Sequence, residues 1–216
     1  MTIRVLLADD QAIVRTGMAM ILAAEDGIEV VAQAADGVEA IQQAELHRPD
    51  VVLMDIRMPR LNGIEALRHL HRPQAAHAPK VVMVTTFDDD EYVHQALHHG
   101  ACGFLLKDAG PRLLAEAVRS AASGEALISP SITVRLLRQF ARPAPAAAPA
   151  PSSPLSQRET EVAVLVSRGH TNTEVAAALH ISAGTVKTHL THIQAKLGLR
   201  NRVEIAAWAW ESGLAR

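Results

Sequence analysis

Residues 51–58 read VVLMDIRM, and this short stretch indicates the fold. Four apolar residues run directly into Asp55, and Pro59 follows closely. An unbroken apolar run that ends at a turn signal is typical of a strand buried on both faces of a parallel sheet. A lone carboxylate at the end of such a strand is most often solvated surface. The role of Asp55 therefore depends on what the rest of the chain places beside it.

Apolar runs and helix-like stretches alternate through the N-terminal part of the chain. The predicted strands cover 3–8, 28–34, 51–54, 80–85 and 103–106, and the predicted helices lie near 11–24, 36–47, 63–71, 89–99 and 111–123. This alternation predicts an α/β fold, in which helices cover both faces of a parallel sheet. Since parallel crossovers are nearly always right-handed, few topologies remain.

A proline-rich segment separates this part from the C-terminal part of the chain. Residues 142–154 read RPAPAAAPAPSSP, and proline resists both helix and sheet, so we expect a semi-extended linker. The pattern after it is all helical, with helices near 157–168, 173–180, 183–197 and 201–212, and a further helix is predicted at 130–140. We therefore expect domains at 1–124 and 155–216, joined by a linker helix and a Pro/Ala-rich linker at 125–154.

Composition narrows the class of protein. The 216-residue chain has a net charge of −2, but residues 151–216 carry seven basic and five acidic residues, which is compatible with nucleic acid. The single cysteine excludes an internal disulfide framework. No apolar run approaches the roughly 18 residues of a membrane span, and the N-terminus lacks a signal-peptide pattern. We expect a soluble cytoplasmic protein with no membrane partner.

Several chemically active side chains fall where predicted strands end. Asp9 and Asp10 follow the first strand, Asp55 ends the third, Thr85 the fourth and Lys107 the fifth. In an open parallel sheet, ligands bind outside the carboxyl ends of the strands, so these side chains should converge. Three carboxylates repel one another unless they bind protons or a cation, and oxygen ligands suit Mg²⁺. A carboxylate beside Mg²⁺, a lysine and a hydroxyl can attack phosphorus and form an acyl phosphate.

These residues, together with Met58-Pro59, Gly63 and the stretch GACGFLLKD at 100–108, resemble the receiver domain of bacterial response regulators. The resemblance covers roughly residues 3–123. It implies a flavodoxin-like five-stranded sheet of order 2-1-3-4-5, and a sensor histidine kinase that phosphorylates Asp55.

The resemblance also assigns roles within the predicted pocket. It implies that Asp10 and Asp55 bind Mg²⁺ directly, that Asp9 binds it through water, and that the Arg57 carbonyl completes the protein ligands. Lys107 would neutralise the phosphoryl group, while Thr85 and Phe104 would couple it to the surface of the last helix and strand. Phenylalanine has no hydroxyl, so any switch at Phe104 must be a rotation of its ring.

The stretch from Leu155 to Glu204 is similar to the LuxR/NarL-type helix-turn-helix domain, an all-α unit of four helices. The third helix would bury Val186, Leu190, Ile193 and Leu197 in one stripe. Its opposite face would enter the major groove of double-stranded DNA. The predicted DNA-binding residues are Thr185, Lys187, Thr188, Thr191 and His192 on this helix, and Thr171, Asn172 and Thr173 at the start of the preceding one.

The last helix carries two apolar faces. We expect the first, formed by Val203, Ala206, Ala207 and Trp210, to pack in the domain core. The second, formed by Ile205, Trp208 and Ala209, would then meet a symmetric partner helix, because a surface helix needs only one apolar face. This predicts a homodimer when the chain is phosphorylated, bound to paired DNA half-sites.

The combined hypothesis is a DNA-binding transcriptional response regulator that is not an enzyme in the usual sense, with RNA polymerase as a possible further partner. One alternative is a phosphorylation-independent DNA binder with a vestigial receiver, although the acidic pocket, Thr85 and Lys107 are all present. The other is a phosphohydrolase with an aspartyl-phosphate intermediate. Hydrolases of the haloacid dehalogenase type need a second acid two residues after the nucleophile, where this chain has Arg57.

Overall fold

A computed structural model describes residues 2–72, 77–86, 90–127 and 154–214, which belong to two compact units. The predicted helix at 130–140 and most of the predicted linker lie outside the described residues. Among the helices that are described, none is long and apolar enough to cross a membrane.

The first unit is a five-stranded parallel sheet with helices between the strands. The strands are β1 (Ile3–Ala8), β2 (Ile28–Ala34), β3 (Val51–Asp55), β4 (Lys80–Thr85) and β5 (Gly103–Leu106). The helices are α1 (Ala12–Ala23), α2 (Gly37–His47), α3 (Gly63–Leu70), α4 (Asp90–His98) and α5 (Pro111–Ser123). The strand order is β2-β1-β3-β4-β5, so the predicted fold class and topology are confirmed.

Burial explains why β3 reads as an unbroken apolar run. All five residues of β3 are buried, because β1 and β4 flank it and helices cover the sheet. Leu7, Leu53, Val84 and Leu105 share one core cluster with residues of α1 and α5. The register pairs Asp55 with Val84, so the acid at the end of β3 lies beside the last residues of β4.

A glycine lets the chain turn tightly from β3 into α3. Gly63 donates its backbone N–H to the Ile56 carbonyl at 2.9 Å, and Asn62 caps α3 by accepting from the Glu65 N–H at 2.9 Å. A Cβ on Gly63 would lie 2.0 Å from the Asp55 carbonyl oxygen. The helix can therefore start directly against the residue that ends β3 only because position 63 has no side chain.

The second unit contains four described helices, α6 (Gln157–Ser167), α7 (Asn172–Leu179), α8 (Ala183–Leu197) and α9 (Arg202–Glu211). Capping boxes open α6 and α7, and Ser182 caps α8 by accepting from the Thr185 N–H. Val186, Leu190 and Ile193 are buried, and Leu197 packs against the same core cluster. The predicted buried stripe of the third helix is thus confirmed.

The two faces of α9 are largely the reverse of the prediction, although Ala206 packs against the core as predicted. Ile205 and Ala209 are fully buried in the core, and Trp208 packs against it. Trp210, which was predicted for the core, is 56% exposed, and its indole N–H donates to the Ser167 carbonyl at 3.2 Å. The assignment of Ile205, Trp208 and Ala209 to a dimer surface is therefore wrong. Both faces are apolar, so the sequence pattern alone could not tell which one meets α6.

An ion pair between a buried glutamate and an exposed lysine joins α6 to α8. The Glu159 carboxylate is 4% exposed and accepts from the Lys196 ammonium at 2.6 Å and from the Ser156 N–H at 2.7 Å. The Lys196 bond, followed by the bond from the Ser156 backbone, lowers the pKa of Glu159 from 4.5 to about 2. A carboxylate whose pKa is lower in the folded state stabilises the fold above its unfolded pKa.

We expect Glu159→Gln to lower the free energy of unfolding at pH 7 by about 1–2 kcal/mol, because glutamine fills the space but loses the charged bond to Lys196. The wild-type advantage is full above pH 4.5 and is lost as the pH falls towards 2. Urea unfolding followed by tryptophan fluorescence at pH 7 and pH 3 measures this difference. Glu161→Gln, in a more exposed pair with Arg158, is the control. Equal stability of Glu159→Gln and wild type at pH 7 would contradict the prediction.

Candidate functional site

Three carboxylates converge at the carboxyl edge of the sheet. One oxygen from each of Asp9, Asp10 and Asp55 lies within 4.8 Å of the others. Asp9 is fully buried and Asp55 is 4% exposed, whereas Asp10 is exposed. Asp9 follows β1 and Asp55 ends β3, and these strands are neighbours in the sheet. The convergence that the strand ends predict is therefore present.

Lys107 bridges the two buried acids. Its ammonium nitrogen lies 2.8 Å from Asp9 Oδ2 and 2.7 Å from Asp55 Oδ2. Burial raises the pKa of Asp55, and the Lys107 bond offsets this only in part. Burial alone would lower the pKa of Lys107, but its bonds to Asp55 and Asp9 outweigh that effect and raise it. The ammonium thus compensates part of the negative charge of the cluster.

The donor set of this cluster fits a hard divalent cation. Three carboxylates face one ammonium, so negative charge remains uncompensated in a largely buried crevice. Asp9 Oδ2 is fully buried, and the Lys107 ammonium, 2.8 Å away and shared with Asp55, is the cation that contacts it. Oxygen ligands that are few and partly open to water are those that Mg²⁺ prefers. The residues present therefore fit Mg²⁺.

Thr85 lies at the end of β4, next to the acidic cluster. The Lys107 N–H donates to the Thr85 carbonyl at 2.8 Å, which fixes the two residues side by side. The Thr85 hydroxyl donates to the Thr86 carbonyl at 3.0 Å. The next residue, Thr86, has a partner that the sequence does not predict. Arg57 Nη2 donates to the Thr86 hydroxyl at 2.6 Å. The guanidinium of Arg57 thus joins the segments that follow β3 and β4.

Phe104 lies inside the first unit. It is fully buried and pairs with Met83 in the register of β4 and β5. A ring in this position can change the surface near β5 only if it rotates or if its neighbours move. The predicted switch role of Phe104 stays a prediction.

The exposed face of α8 carries the predicted DNA-binding side chains. Thr185, Lys187, Thr188, Thr191 and His192 are all exposed. The hydroxyls of Thr188 and Thr191 donate to the carbonyls of Gly184 and Lys187, at 3.2 and 3.1 Å. Their oxygens can still accept a hydrogen bond, and their methyl groups stay available for apolar contact. The face is polar, small and thinly charged.

The start of α7 differs from the prediction at one residue. Thr171 and Thr173 are exposed, but Asn172 is 3% exposed and its side-chain oxygen accepts from Arg202 Nη1 at 2.7 Å. Arg202 Nη2 also donates to the His170 carbonyl. Asn172 therefore joins α7 to α9, and its predicted contact with phosphate is wrong. No sequence pattern indicates this partner, because Arg202 lies thirty residues further along the chain.

Comparison with known proteins covers both units. Residues 5–119 match the family model described as "Response regulator receiver domain", and residues 153–209 match the model described as "Bacterial regulatory proteins, luxR family". The chain is 38% identical over 215 residues to the oxygen regulatory protein NreC of Staphylococcus carnosus, with 98% of each chain covered. It is 35% identical over 216 residues to the response regulator VraR of Staphylococcus aureus, with 99% of each chain covered.

Solved structures that resemble this chain are also response regulators. The response regulator ChrA of a heme-sensing two-component system has a TM-score of 0.54 and 37% identity, over 99% of this chain and 98% of that one. A LuxR-family two-component response regulator from Aurantimonas sp. has a TM-score of 0.60 and 32% identity, over 64% of this chain and 98% of that one. Both likenesses are to two-component response regulators.

Proposed function

Since this chain belongs to the response regulators that join a receiver domain to a LuxR-type DNA-binding domain, we propose that phosphorylation of Asp55 controls its binding to DNA. The family consists of transcriptional regulators of two-component systems rather than enzymes, and its architecture implies DNA and a sensor histidine kinase as partners. The observation that carries the proposal is the Asp55 carboxylate, which is buried, bonded to Lys107 and flanked by two further acids.

The proposed reaction moves one phosphoryl group. A carboxylate oxygen of Asp55 attacks the phosphorus of the kinase phosphohistidine, the P–N bond breaks, and the histidine nitrogen takes up a proton as it leaves. Lys107, 2.7 Å from Asp55, neutralises negative charge on the group in transfer. Mg²⁺, when held by Asp9, Asp10, Asp55 and the Arg57 carbonyl, would supply further positive charge there. The product is an acyl phosphate on Asp55.

The proposed switch begins at Thr85. Its hydroxyl donates to the Thr86 carbonyl in this structure, and it would turn to donate to an oxygen of the phosphoryl group on Asp55. Such a movement displaces the end of β4, two residues beyond Met83, which pairs with Phe104, and the Phe104 ring would rotate to follow it. The result is a shift between two states of the receiver rather than a new fold.

Binding to DNA is proposed for the exposed face of α8, with Thr171 and Thr173 contacting phosphate at the start of α7. The support is the exposure of these side chains together with the family. One domain offers few positive charges on this face, so binding by one copy should be weak, and two copies on paired half-sites would double the contacts.

We expect Lys187→Gln to weaken binding to a duplex of random sequence and to lower the slope of log affinity against log salt by about 1, because one phosphate contact is lost. Fluorescence anisotropy from 50 to 200 mM salt measures the slope. Lys80→Gln removes the same charge from an exposed position in the first unit and is the control. An unchanged slope for Lys187→Gln would place the DNA on another face.

A homodimer is proposed for the phosphorylated chain, through the face of α9 that the core leaves uncovered. Val203 and Ala207 are half-buried and Trp210 is 56% exposed, at i, i+4 and i+7 on one side of the helix. A large apolar side chain exposed in such a stripe is typical of a contact surface. A symmetric helix pair would bury it.

We expect Trp210→Ala to raise the dimer dissociation constant of the phosphorylated protein about tenfold or more, since buried tryptophans dominate many interfaces. Analytical ultracentrifugation measures the constant. Trp210→Phe, which keeps most of the apolar area, should retain most of the affinity. If both variants dimerise like the wild type, this face is not the interface.

The vestigial receiver remains the alternative to this proposal, and DNA binding by Asp55→Asn after treatment with a phosphoryl donor tests it. Binding equal to that of the treated wild type would favour the alternative. Contact with RNA polymerase and location in the cytoplasm stay predictions.

A further inference from the structure

The loop between β3 and α3 contains a residue in an unfavourable backbone conformation. Arg60 has a φ of 61°, in the left-handed region where a Cβ meets steric resistance. A residue without the freedom of glycine persists there only where its surroundings fix it. The contacts of Arg60 must therefore stabilise this backbone conformation.

Arg60 is held by a buried carboxylate at the start of α2. Arg60 Nε donates to Asp36 Oδ2 at 2.7 Å, and its Nη2 donates to the same oxygen. The other oxygen of Asp36 caps α2 by accepting from the N–H groups of Val38 and Glu39, at 2.9 and 3.0 Å. Asp36 is 4% exposed. Burial opposes its charge, but the helix N–H groups and Arg60 outweigh burial and lower its pKa.

A second link lies directly beside this ion pair. The Gly37 N–H donates to the Leu61 carbonyl at 3.0 Å, and a Cβ on Gly37 would lie 2.4 Å from that oxygen. Asp36 and Gly37, at the start of α2, thus bind Arg60 and Leu61 of the loop. The bond from the Gly63 N–H to the Ile56 carbonyl joins the start of α3 to the first residue of the loop.

The position of this loop matters because it contains Arg57, whose peptide carbonyl is a proposed cation ligand. We propose that Asp36 and Arg60 are positioning residues, whose ion pair fixes the loop so that the Arg57 carbonyl is aligned before Mg²⁺ binds. The inference rests on the proposed function of the acidic cluster. A ligand group that is already ordered loses less conformational entropy on binding, and groups behind the direct ligands set metal affinity in this way.

The test is Mg²⁺ affinity of the full chain without any phosphoryl donor, by isothermal titration calorimetry. Arg60→Ala and Arg60→Gly should each weaken Mg²⁺ binding about tenfold. Arg60→Gly also relieves the left-handed conformation, so its melting temperature without Mg²⁺ should stay close to that of the wild type. Asp36→Asn keeps the helix cap but loses the charge, and should weaken binding by a smaller factor. Arg72→Ala, which breaks an exposed pair with Glu45, is the matched control and should change nothing.

The two failures are distinguishable. If Arg60→Gly and Arg60→Ala bind Mg²⁺ as tightly as the wild type, the ion pair serves the fold alone and the inference is overturned, whatever their melting temperatures. If the wild type itself binds no Mg²⁺, the metal site of the proposed function fails and the inference fails with it. Weaker binding in both Arg60 variants, with Arg72→Ala unchanged, supports the inference.

Discussion

Asp55→Asn should incorporate phosphate from a small phosphoryl donor at least about a thousandfold more slowly than the wild type, because the attacking carboxylate oxygen is lost. The side chain keeps its shape, so the Lys107 contact changes while the packing of β3 does not. Because Asp55 is only 4% exposed, its carboxylate is poorly solvated. The Lys107 ammonium, 2.7 Å away, is placed to offset negative charge on the incoming phosphoryl group.

Phosphate incorporation is measured with radiolabelled acetyl phosphate in the presence of Mg²⁺. Asp108→Asn is the matched control, because Asp108 is an exposed acid directly after Lys107 and undergoes the same chemical change. It should be phosphorylated like the wild type. Phosphate on Asp55→Asn at the wild-type rate would mean that another acid of the cluster is the acceptor.

Gly63→Ala should destabilise the first unit by about 2–4 kcal/mol and reduce phosphorylation of Asp55 as well. The added Cβ would lie 2.0 Å from the Asp55 carbonyl oxygen, so either the end of β3 or the start of α3 has to move. Both movements displace the acceptor, and small displacements of reacting groups are costly in rate.

Gly17→Ala is the control for this change. Gly17 lies inside α1, and a Cβ there would meet nothing within 4 Å, so the substitution should be neutral or stabilise the helix by up to about 1 kcal/mol. Calorimetry of the full chain compares the two variants. Equal melting temperatures for Gly63→Ala and wild type would show that the loop accommodates the added methyl group.

The elements of the fold were predictable because strand and helix patterns differ in period and alternate along the chain. Five apolar runs, each followed by a helix-like stretch, were enough to predict a five-stranded parallel sheet. The acids at the ends of the first and third runs sufficed for the cluster, since parallel strands end at one edge. The helices predicted near 157–168 and 173–180 start within one residue of the observed starts of α6 and α7.

The remaining features depend on contacts between residues that lie far apart in the sequence. The faces of α9 are both apolar, and only packing against α6 decides that Ile205 is buried and Trp210 is not. Asn172 reads as an exposed polar residue, but Arg202 meets it from thirty residues away. No period or motif could have paired Arg57 with Thr86, or Arg60 with Asp36. These pairs form only because the fold brings the residues together, so they could not be predicted from the sequence.

The central claim is that phosphorylation of Asp55 changes the state of the whole chain. Light scattering of the full chain with Mg²⁺, with and without acetyl phosphate or its beryllofluoride mimic, measures this for wild type and Asp55→Asn. The account predicts that the wild type alone converts from monomer to dimer. A wild type that stays unchanged, or an Asp55→Asn variant that is already dimeric or responds in the same way, would contradict it.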